Sequence, residues 1–380
     1  MHKKLNYLLK ITFSILILSM ISCQKDEVTD VTDSKNLENV IKSEFVRLNM
    51  PGISYVAVSK DSIVYMGAMG YANIEEKKPF TPQTRMMLAS VSKTLLPTAI
   101  MQLSEKGLIS IENDVNDYLP FDVKNPNFPD AKITVEMLLT HTSSISDKGY
   151  NSSAFYLSGY LNYPQPLGEF VEDYLTPVGQ YYSENSYSEN SPGSVYSYSN
   201  IGASLLGYII ECVSGLDYNE YCKLNIFQPL GMTYSSFLYS ETPIDEIASF
   251  YNDMNLKPDF YTYPDYPAGH LITTVEDLSK FMRAYIMGGT FNGYQLLKPE
   301  SVDFILQEHF TDNFHNQGLI FYKFDFYGLT LWGHNGGDLG LATEMYFDLD
   351  NKTGCIVFIN KTMSYSLSIK LSLLKFANQF

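Results

Sequence analysis

Apolar residues near the start of the sequence recur at helical spacing and then switch to the pattern of strands. The helical positions are Leu37, Val40, Ile41, Phe45 and Leu48. This spacing predicts an amphipathic helix that stops at Pro51 and Gly52. Two β-rich runs follow, at residues 53–58 and 63–69, on either side of a polar turn. They predict a β-hairpin.

The end of the chain carries a second group of strand patterns. Three β-rich runs occupy residues 328–334, 341–347 and 355–359, and a helical pattern covers residues 364–380. The middle of the chain consists of helical patches joined by loops. We therefore predict an α/β (α+β) fold, in which one antiparallel sheet joins the N-terminal hairpin to the C-terminal strands. Helices would cover the sheet, a mainly helical lobe would lie beside it, and a site would form between the two.

A tandem repeat interrupts the helical middle of the chain. Residues 182–186 and 187–191 both read Tyr-Ser-Glu-Asn-Ser. This composition predicts a loop. Two interpretations stay open, a low-complexity insertion without a role and an aromatic wall beside a pocket.

The first 22 residues have the pattern of an export signal. Lysines precede an apolar stretch at residues 11–21, which is too short to cross a bilayer because a membrane helix needs about 20 residues. The segment 20–23, which ends in Cys23, resembles the lipobox of bacterial lipoproteins, and an ordinary signal peptide is the alternative. The resemblance implies a lipid on Cys23, an acidic tether over residues 23–35 and a folded domain over residues 36–380. It also implies an extracytoplasmic location at the outer membrane or the cell surface.

Composition excludes several classes of function. The formal net charge is −16, so nucleic acid is not an expected partner, because its binding depends on Lys and Arg contacts to phosphates. Besides Cys23 the chain has Cys212, Cys222 and Cys355, without a Cys-x-x-Cys pair. These spacings indicate neither a disulfide framework nor a zinc site, and we expect three small buried thiols.

Ser90 and Lys93 form the first candidate catalytic pair. They are three residues apart at the start of a helical pattern, directly after the extended segment 86–89. This spacing places both side chains on one helical face. A lysine can take the proton of a serine only if its pKa is lowered, and burial has that effect. The segment 372–375 repeats the Ser-x-x-Lys spacing inside the final helix, where we expect an ordinary helix face.

Tyr198 and Asn200 form the second candidate element, a polar pair able to relay a proton. They precede the helical pattern at residues 201–212. The same Tyr-x-Asn pattern occurs at 71–73 and 160–162, where we interpret it as structural.

Two segments compete for a third element. His334-Asn335-Gly336 ends a predicted strand, whereas Lys352-Thr353-Gly354 follows a hairpin turn, where lysines are normally solvated. The first position leaves room for two more strands and a helix, and we favour it.

Taken in order, these three motifs resemble those of the serine β-lactamase-related, penicillin-binding-protein-like family. The family includes class C β-lactamases, D,D-carboxypeptidases, D-aminopeptidases and esterases. Further stretches that resemble it are residues 89–94, 138–143, 198–202, 229–232 and 333–337. The resemblance covers nearly all of residues 36–380.

The resemblance implies a role for each motif residue. Ser90 would be the acylated nucleophile, Lys93 its base, Tyr198 a proton shuttle and Asn200 a contact to a substrate amide. Substrate binding or oxyanion stabilisation would fall to His334, Asn335, Gly336 and Gly337. The backbone N–H groups of Ser90 and Gly337 would form the oxyanion hole.

Two positions depart from the family pattern. His334 stands where β-lactamases and carboxypeptidases usually have a lysine, so a fixed positive charge for a substrate carboxylate is missing. This missing charge puts penicillin turnover in doubt. Ser144 stands where the family usually has glycine.

We expect a serine hydrolase acting on D-amino-acid peptides, amides or esters. A catalytically inactive relative that binds peptidoglycan or a partner and a class C-like β-lactamase are the alternatives. The histidines at 141, 270, 309 and 315 lack metal-ligand spacing, so no metal or other cofactor is expected. The expected partners are a small-molecule or peptide substrate and the membrane, without an obligatory protein partner.

Overall fold

The structure is a computed structural model that describes residues 31–150, 154–326, 328–362 and 365–380. Cys23 and the proposed signal segment lie outside these residues. The strands are β1 Gly52–Ser59, β2 Ser62–Asn73, β3 Lys78–Pro79, β4 Met86–Met87, β5 Leu157–Ser158, β6 Tyr261–Thr262, β7 Ile272–Thr273, β8 Thr290–Phe291, β9 Tyr294–Gln295, β10 Phe310–Thr311, β11 Asn316–Gln317, β12 Tyr322–Phe326, β13 Leu329–Asp338, β14 Leu341–Asp348 and β15 Thr353–Ile359.

The helices lie mostly between the two groups of sheet strands. They are α1 Ser34–Arg47, α2 Leu95–Glu105, α3 Val135–Leu139, α4 Leu167–Leu175, α5 Asn200–Ser214, α6 Tyr218–Cys222, α7 Gln228–Leu230, α8 Val275–Ile286, α9 Pro299–Ile305 and α10 Leu367–Ala377. A 3₁₀ segment, Ala89–Thr94, runs directly into α2.

Both ends of the chain contribute to one large antiparallel sheet, as predicted. Within the described residues its order is β10-β11-β12-β13-β14-β15-β1-β2-β3. The join between the two ends is the pairing of β1 with β15, in which Ile53 lies opposite Ile359. Strands β10 to β12 were not predicted, and they extend the sheet beyond β13.

The three central strands are buried on both faces. Every residue of β1, β14 and β15 is buried. Helices α1 and α10 pack on one face, and α8 packs on the other, where the helical lobe lies. Alternation along β1 serves both layers, because Tyr55 belongs to the core under α1 and α10, whereas Val56 belongs to the core under the lobe.

The folded body begins earlier than the sequence indicated. Helix α1 starts at Ser34, and the Asp33 side chain accepts a hydrogen bond from Asn36 N–H at 2.8 Å as its N-cap. Val31 is only 5% exposed, and its carbonyl accepts a hydrogen bond from Gln379 Nε2. Val31 therefore packs on the domain, and the first helix starts at Ser34, within the range predicted as tether.

The thiols differ from each other in exposure. Cys222 and Cys355 are buried, as expected, but Cys212 is exposed. Cys212 lies near the end of α5, on the side of the helix that faces solvent rather than the core. The expectation of three buried thiols is therefore wrong for Cys212.

The tandem repeat forms a loop, as predicted, but it is anchored in the core. Tyr187 is 4% exposed, and its hydroxyl donates to Leu175 O at 2.9 Å. Asn125 Nδ2 donates to Ser188 O at 2.8 Å. Neither repeat lines the cavity that contains Ser90, so the predicted aromatic wall is not formed by these tyrosines.

Candidate active site

Ser90 lies at a sharp turn between a short strand and a helix. The chain leaves β4 and passes through Ala89, whose φ of 47° is in the left-handed region that side chains rarely adopt. Ser90 is the second residue of the 3₁₀ segment that follows. It lines a cavity of about 260 Å³. Backbone strain of this kind is a feature of functional turns.

Lys93 is fully buried beside this serine. Its Nζ lies 3.2 Å from Ser90 Oγ, 2.7 Å from Asn200 Oδ1 and 2.6 Å from Ala268 O. The Asn200 and Ala268 oxygens are acceptors, so they occupy two of the amine's hydrogens. A neutral amine has two hydrogens for these acceptors, so its lone pair is left to accept the Ser90 hydroxyl proton.

Burial sets the protonation of Lys93. Loss of water around the ammonium lowers its pKa to about 8, although Asp265, Asp147 and Asp338 act in the opposite direction. The Nζ atom is also 5.0 Å from the centroid of the Tyr198 ring. Lys93 is therefore a base that can lose its proton slightly above neutral pH.

The start of α5 brings Tyr198 and Asn200 to the same place. Ser199 is the N-cap of α5, and its Oγ accepts a hydrogen bond from Gly202 N–H at 2.8 Å. The Asp147 carboxylate accepts from Ser199 Oγ at 2.7 Å and from Asn200 N–H at 2.6 Å. An acid at a helix N-terminus is favourable, so Asp147 holds the first residues of α5, including Asn200, in place. The sequence interpretation missed this acid.

Tyr198 forms part of the cavity wall and contacts the nucleophile. Its side chain lines the cavity and is 36% exposed. Loss of water around the phenol raises the pKa of Tyr198, and a hydrogen bond with Ser90 partly opposes this rise. The phenol is therefore neutral and can both accept and donate a proton.

His141 packs against Tyr198 and holds the backbone on both sides of it. The two rings are 4.5 Å apart. Ser197 N–H donates to the His141 carbonyl at 2.7 Å, and Ser199 N–H donates to its Nδ1 at 3.3 Å. Burial lowers the pKa of His141 well below its usual value. This histidine is a structural support, in keeping with its lack of metal-ligand spacing.

The loop after His141 explains the departure at Ser144. Its φ is 66°, in the region that favours glycine. The Ser144 hydroxyl accepts a hydrogen bond from Asn125 Nδ2 at 3.0 Å. The buried hydrogen bond offsets part of the backbone strain that a serine has at this position.

The third motif lies on β13, and its residues have different surroundings. His334 is 3% exposed, with its ring 6.2 Å from that of Tyr198, and burial lowers its pKa to about 3. Asn335 N–H donates to the hydroxyl of Tyr322 at 2.9 Å. None of these three motif residues lines the cavity, but Gly337, which directly follows them, does. The competing residue Lys352 lies in the exposed turn before β15, at the other end of the sheet.

Gly336 allows β13 to lie directly against the nucleophile turn. A Cβ atom on Gly336 would be 2.2 Å from Leu88 O and 3.0 Å from Ser90 N. Thr343, its partner on β14, donates a hydrogen bond to Leu88 O at 2.6 Å. The glycine is needed because any side chain would separate strand and turn.

Two acids that the sequence interpretation missed complete the cavity. Asp265 and Asp338 both line it, together with Tyr156 and Tyr263. Burial raises the pKa of Asp265 to about 6, and burial also raises the pKa of Asp338. Neither acid lies in a recognisable motif, so the sequence offered no signal for them.

The duplicate motifs lie elsewhere in the described structure. Ser372 is buried on α10, which packs against α1 and the sheet. The Tyr-x-Asn pattern at 71–73 is in β2, and Asn162 of the other copy is hydrogen-bonded to Ser240 in an exposed position. Within the described part of the chain, no cluster of side chains suited to a metal ion occurs, and no helix is both long and apolar enough to span a bilayer.

Comparison with known proteins places the chain in a family. The sequence model of the beta-lactamase family matches residues 37–371. The chain belongs to the beta-lactamase family. This is a family of serine hydrolases, and some of its members are non-catalytic.

Individual relatives of this beta-lactamase-family chain agree with that assignment. It is similar to Protein flp from Staphylococcus aureus (strain MRSA252), at 25% identity over 280 residues, covering 72% of this chain and 51% of the relative. The chain thus spans about half the length of this relative. The structure is similar to that of the octameric penicillin-binding protein homologue from Pyrococcus abyssi, with a TM-score of 0.73 and 25% identity over 91% of this chain and 76% of that one. A class C beta lactamase from Rhodobacter sphaeroides shares the fold, with a TM-score of 0.68 and 18% identity over 90% of this chain and 98% of that one.

Proposed function

We propose that this chain is a serine hydrolase that forms an acyl-enzyme at Ser90 and acts on D-amino-acid peptides, amides or esters. The observation that carries the proposal is the position of Lys93. Its amine is buried and lies 3.2 Å from Ser90 Oγ. Its two other hydrogen-bond partners, Asn200 Oδ1 and Ala268 O, are both acceptors. A serine with a lowered-pKa base in contact is the arrangement that nucleophilic catalysis requires.

The proposed reaction has two balanced steps. In the first, the Ser90 hydroxyl proton passes to neutral Lys93 as Oγ bonds to the substrate carbonyl carbon. The proton then returns through Tyr198 to the leaving amine or alcohol as the bond to that group breaks. In the second step, water gives a proton by the same route and attacks the acyl-serine, which releases a carboxylic acid and restores the Ser90 hydroxyl.

The negative charge that develops on the substrate oxygen needs two donors. We assign them to the backbone N–H groups of Ser90 and Gly337. The close approach of β13 to the nucleophile turn supports this pairing, because a Cβ atom added to Gly336 would lie 3.0 Å from Ser90 N. The first N–H groups of a helical segment have no partner within the segment. One such donor lowers the barrier by about 3 kcal/mol.

A serine-directed fluorophosphonate tests the proposal directly. We expect mass spectrometry to find one equivalent of label on Ser90 in the wild-type protein and none in Ser90→Ala, because only an activated serine reacts. A protein that resists labelling, and that hydrolyses neither p-nitrophenyl acetate nor a D-amino-acid amide, would instead be a non-catalytic relative that binds peptidoglycan or a partner.

The neutral third motif predicts poor β-lactam turnover. With His334 uncharged, the site has no fixed cation at this position for the β-lactam carboxylate, so we expect ester or amide turnover to exceed nitrocefin turnover. In His334→Lys, the ratio of kcat/KM for nitrocefin to that for p-nitrophenyl acetate should rise about 10-fold, the effect of one hydrogen bond to a charged group. If nitrocefin is already the best substrate of the wild type, the class C-like alternative is the correct one.

We also propose that the chain is exported and held at the outer membrane or the cell surface by a lipid on Cys23. The lipobox-like segment and the acidic residues that follow support this. We expect Cys23→Ser to leave an active protein that no longer sediments with membranes, because in the sequence a polar segment separates Cys23 from the catalytic motifs. The measurement is hydrolase activity in membrane and soluble fractions, and activity that stays with the membranes would contradict the proposal.

A further inference from the structure

The cavity that opens on Ser90 is acidic. Two carboxylates, Asp265 and Asp338, line it, and none of its lining residues is a lysine, an arginine or a histidine. The nearest cation is Lys93, whose amine is already engaged by Ser90, Asn200 and Ala268. His334 is neutral because burial lowers its pKa to about 3. A substrate that enters the cavity therefore meets negative charge beside the nucleophile.

Both carboxylates are held in fixed positions. Asp338 Oδ1 accepts hydrogen bonds from the Tyr156 hydroxyl at 2.6 Å and from Leu339 N–H at 2.7 Å, and the Tyr261 hydroxyl also contacts this acid. Asp265 Oδ1 accepts from the hydroxyl of Tyr150. Carboxylates fixed by such donors are preorganised acceptors, which lose little entropy when a ligand binds.

Aromatic side chains border the same space. Tyr156 and Tyr263 line the cavity next to the two acids, and the ring of Tyr156 stacks on that of Tyr261 at 4.4 Å. Tyrosine faces attract ammonium groups, and the attraction grows when the cation is desolvated. The carboxylates and aromatic rings that line the cavity therefore suit a bound cation.

We propose, resting on the serine hydrolase function above, that this cavity selects acyl donors that carry a primary ammonium, which Asp338 and Asp265 bind beside Tyr156 and Tyr263. The substrate class is then amides or esters of amino acids with a free amine. The ammonium would donate to the carboxylate oxygens while the acyl carbonyl lies over Ser90. Donors with a carboxylate near the reacting carbonyl would be repelled by the same two acids.

An isosteric pair of substrates tests the charge preference. Glycine p-nitroanilide carries an ammonium where propionic acid p-nitroanilide carries a methyl group, so the two differ in charge and not in size. At pH 6.5, where the amine is protonated, we expect kcat/KM of wild type to favour the glycine compound by about 10-fold or more, the effect of hydrogen bonds between charged groups. In Asp338→Asn the ratio should fall toward one.

Matched controls separate the possible failures. Asp130→Asn removes an exposed acid that does not line the cavity, and it should keep the wild-type ratio. In the wild type itself, glycinamide should inhibit p-nitrophenyl acetate hydrolysis at lower concentration than propionamide, a readout that does not depend on the folding of any variant.

If kcat/KM for the glycine anilide is no higher than that for the propionic acid anilide, while hydrolysis still depends on Ser90, the ammonium selectivity alone is overturned. Absence of both hydrolysis and phosphonate labelling at Ser90 would overturn the hydrolase and its selectivity together.

Discussion

Replacing Ser90 with alanine is expected to lower kcat for the best ester or amide substrate by about 10⁴-fold or more. The change removes one oxygen from a half-buried position, and the backbone turn at Ala89 and the contacts of Lys93 to Asn200 and Ala268 stay in place. The variant should therefore fold and bind substrate while it lacks the acylated atom. Steady-state rates and a thermal unfolding curve of the same preparation measure both properties.

Ser372→Ala is the matched control for this substitution. Ser372 has the same Ser-x-x-Lys spacing but is buried on α10, which packs against α1 and the sheet. We expect its kcat to stay within about twofold of the wild type, because most substitutions away from a site act only on stability. Equal rates for Ser90→Ala and the wild type would refute the assignment of Ser90.

Replacing Lys93 with methionine is expected to lower kcat/KM by about 10²-fold to 10⁴-fold, the usual contribution of a general base. Methionine keeps the volume of the fully buried side chain but cannot take the Ser90 proton.

The wild-type rate should also depend on pH in a defined direction. The pKa of Lys93 is lowered to about 8, so the amine is protonated below this pH and neutral above it. Because only the neutral form is a base, kcat/KM should rise with pH through about 8 and then level off.

The same pH profile provides the control for Lys93. Lys375→Met changes the lysine of the duplicate motif on α10, and it should leave the rise near pH 8 in place. A wild-type profile that is flat between pH 6 and 10 would show that Lys93 does not act as the base. A rise that survives in Lys93→Met would assign the titration to another group.

The sheet could be predicted from the sequence because its strands have strong local patterns. The β-rich runs that form β1, β2, β14 and β15 are each visible within a single segment. The grouping of strands at both ends of the chain predicted one sheet that joins them, but not that β1 would pair with β15. Strands β10 and β11 have only two residues each, so they carry no periodicity.

The motif residues of the site were predictable, but their environment was not. Ser90, Lys93, Tyr198 and Asn200 lie together, as their motifs indicated. The acids Asp147, Asp265 and Asp338 come from separate loops and from the end of β13, so only the folded chain brings them to Lys93. For the same reason the sequence could not show that His334 is buried beside the cavity rather than in its lining.

The contact of Gly336 with the nucleophile turn has a consequence for the order of assembly. Ser90 belongs to the first third of the chain, whereas β13 is joined to β1 only through β14 and β15. The pairing of β15 with β1 extends to Ile359, so it is complete only once that residue is present. Contacts between such distant segments form slowly, because loop closure precedes their energetic gain. A partly synthesised chain would therefore carry its nucleophile and base without the strand that completes the site. Reactivity at Ser90 should develop only when the last strands have been made and have closed the sheet.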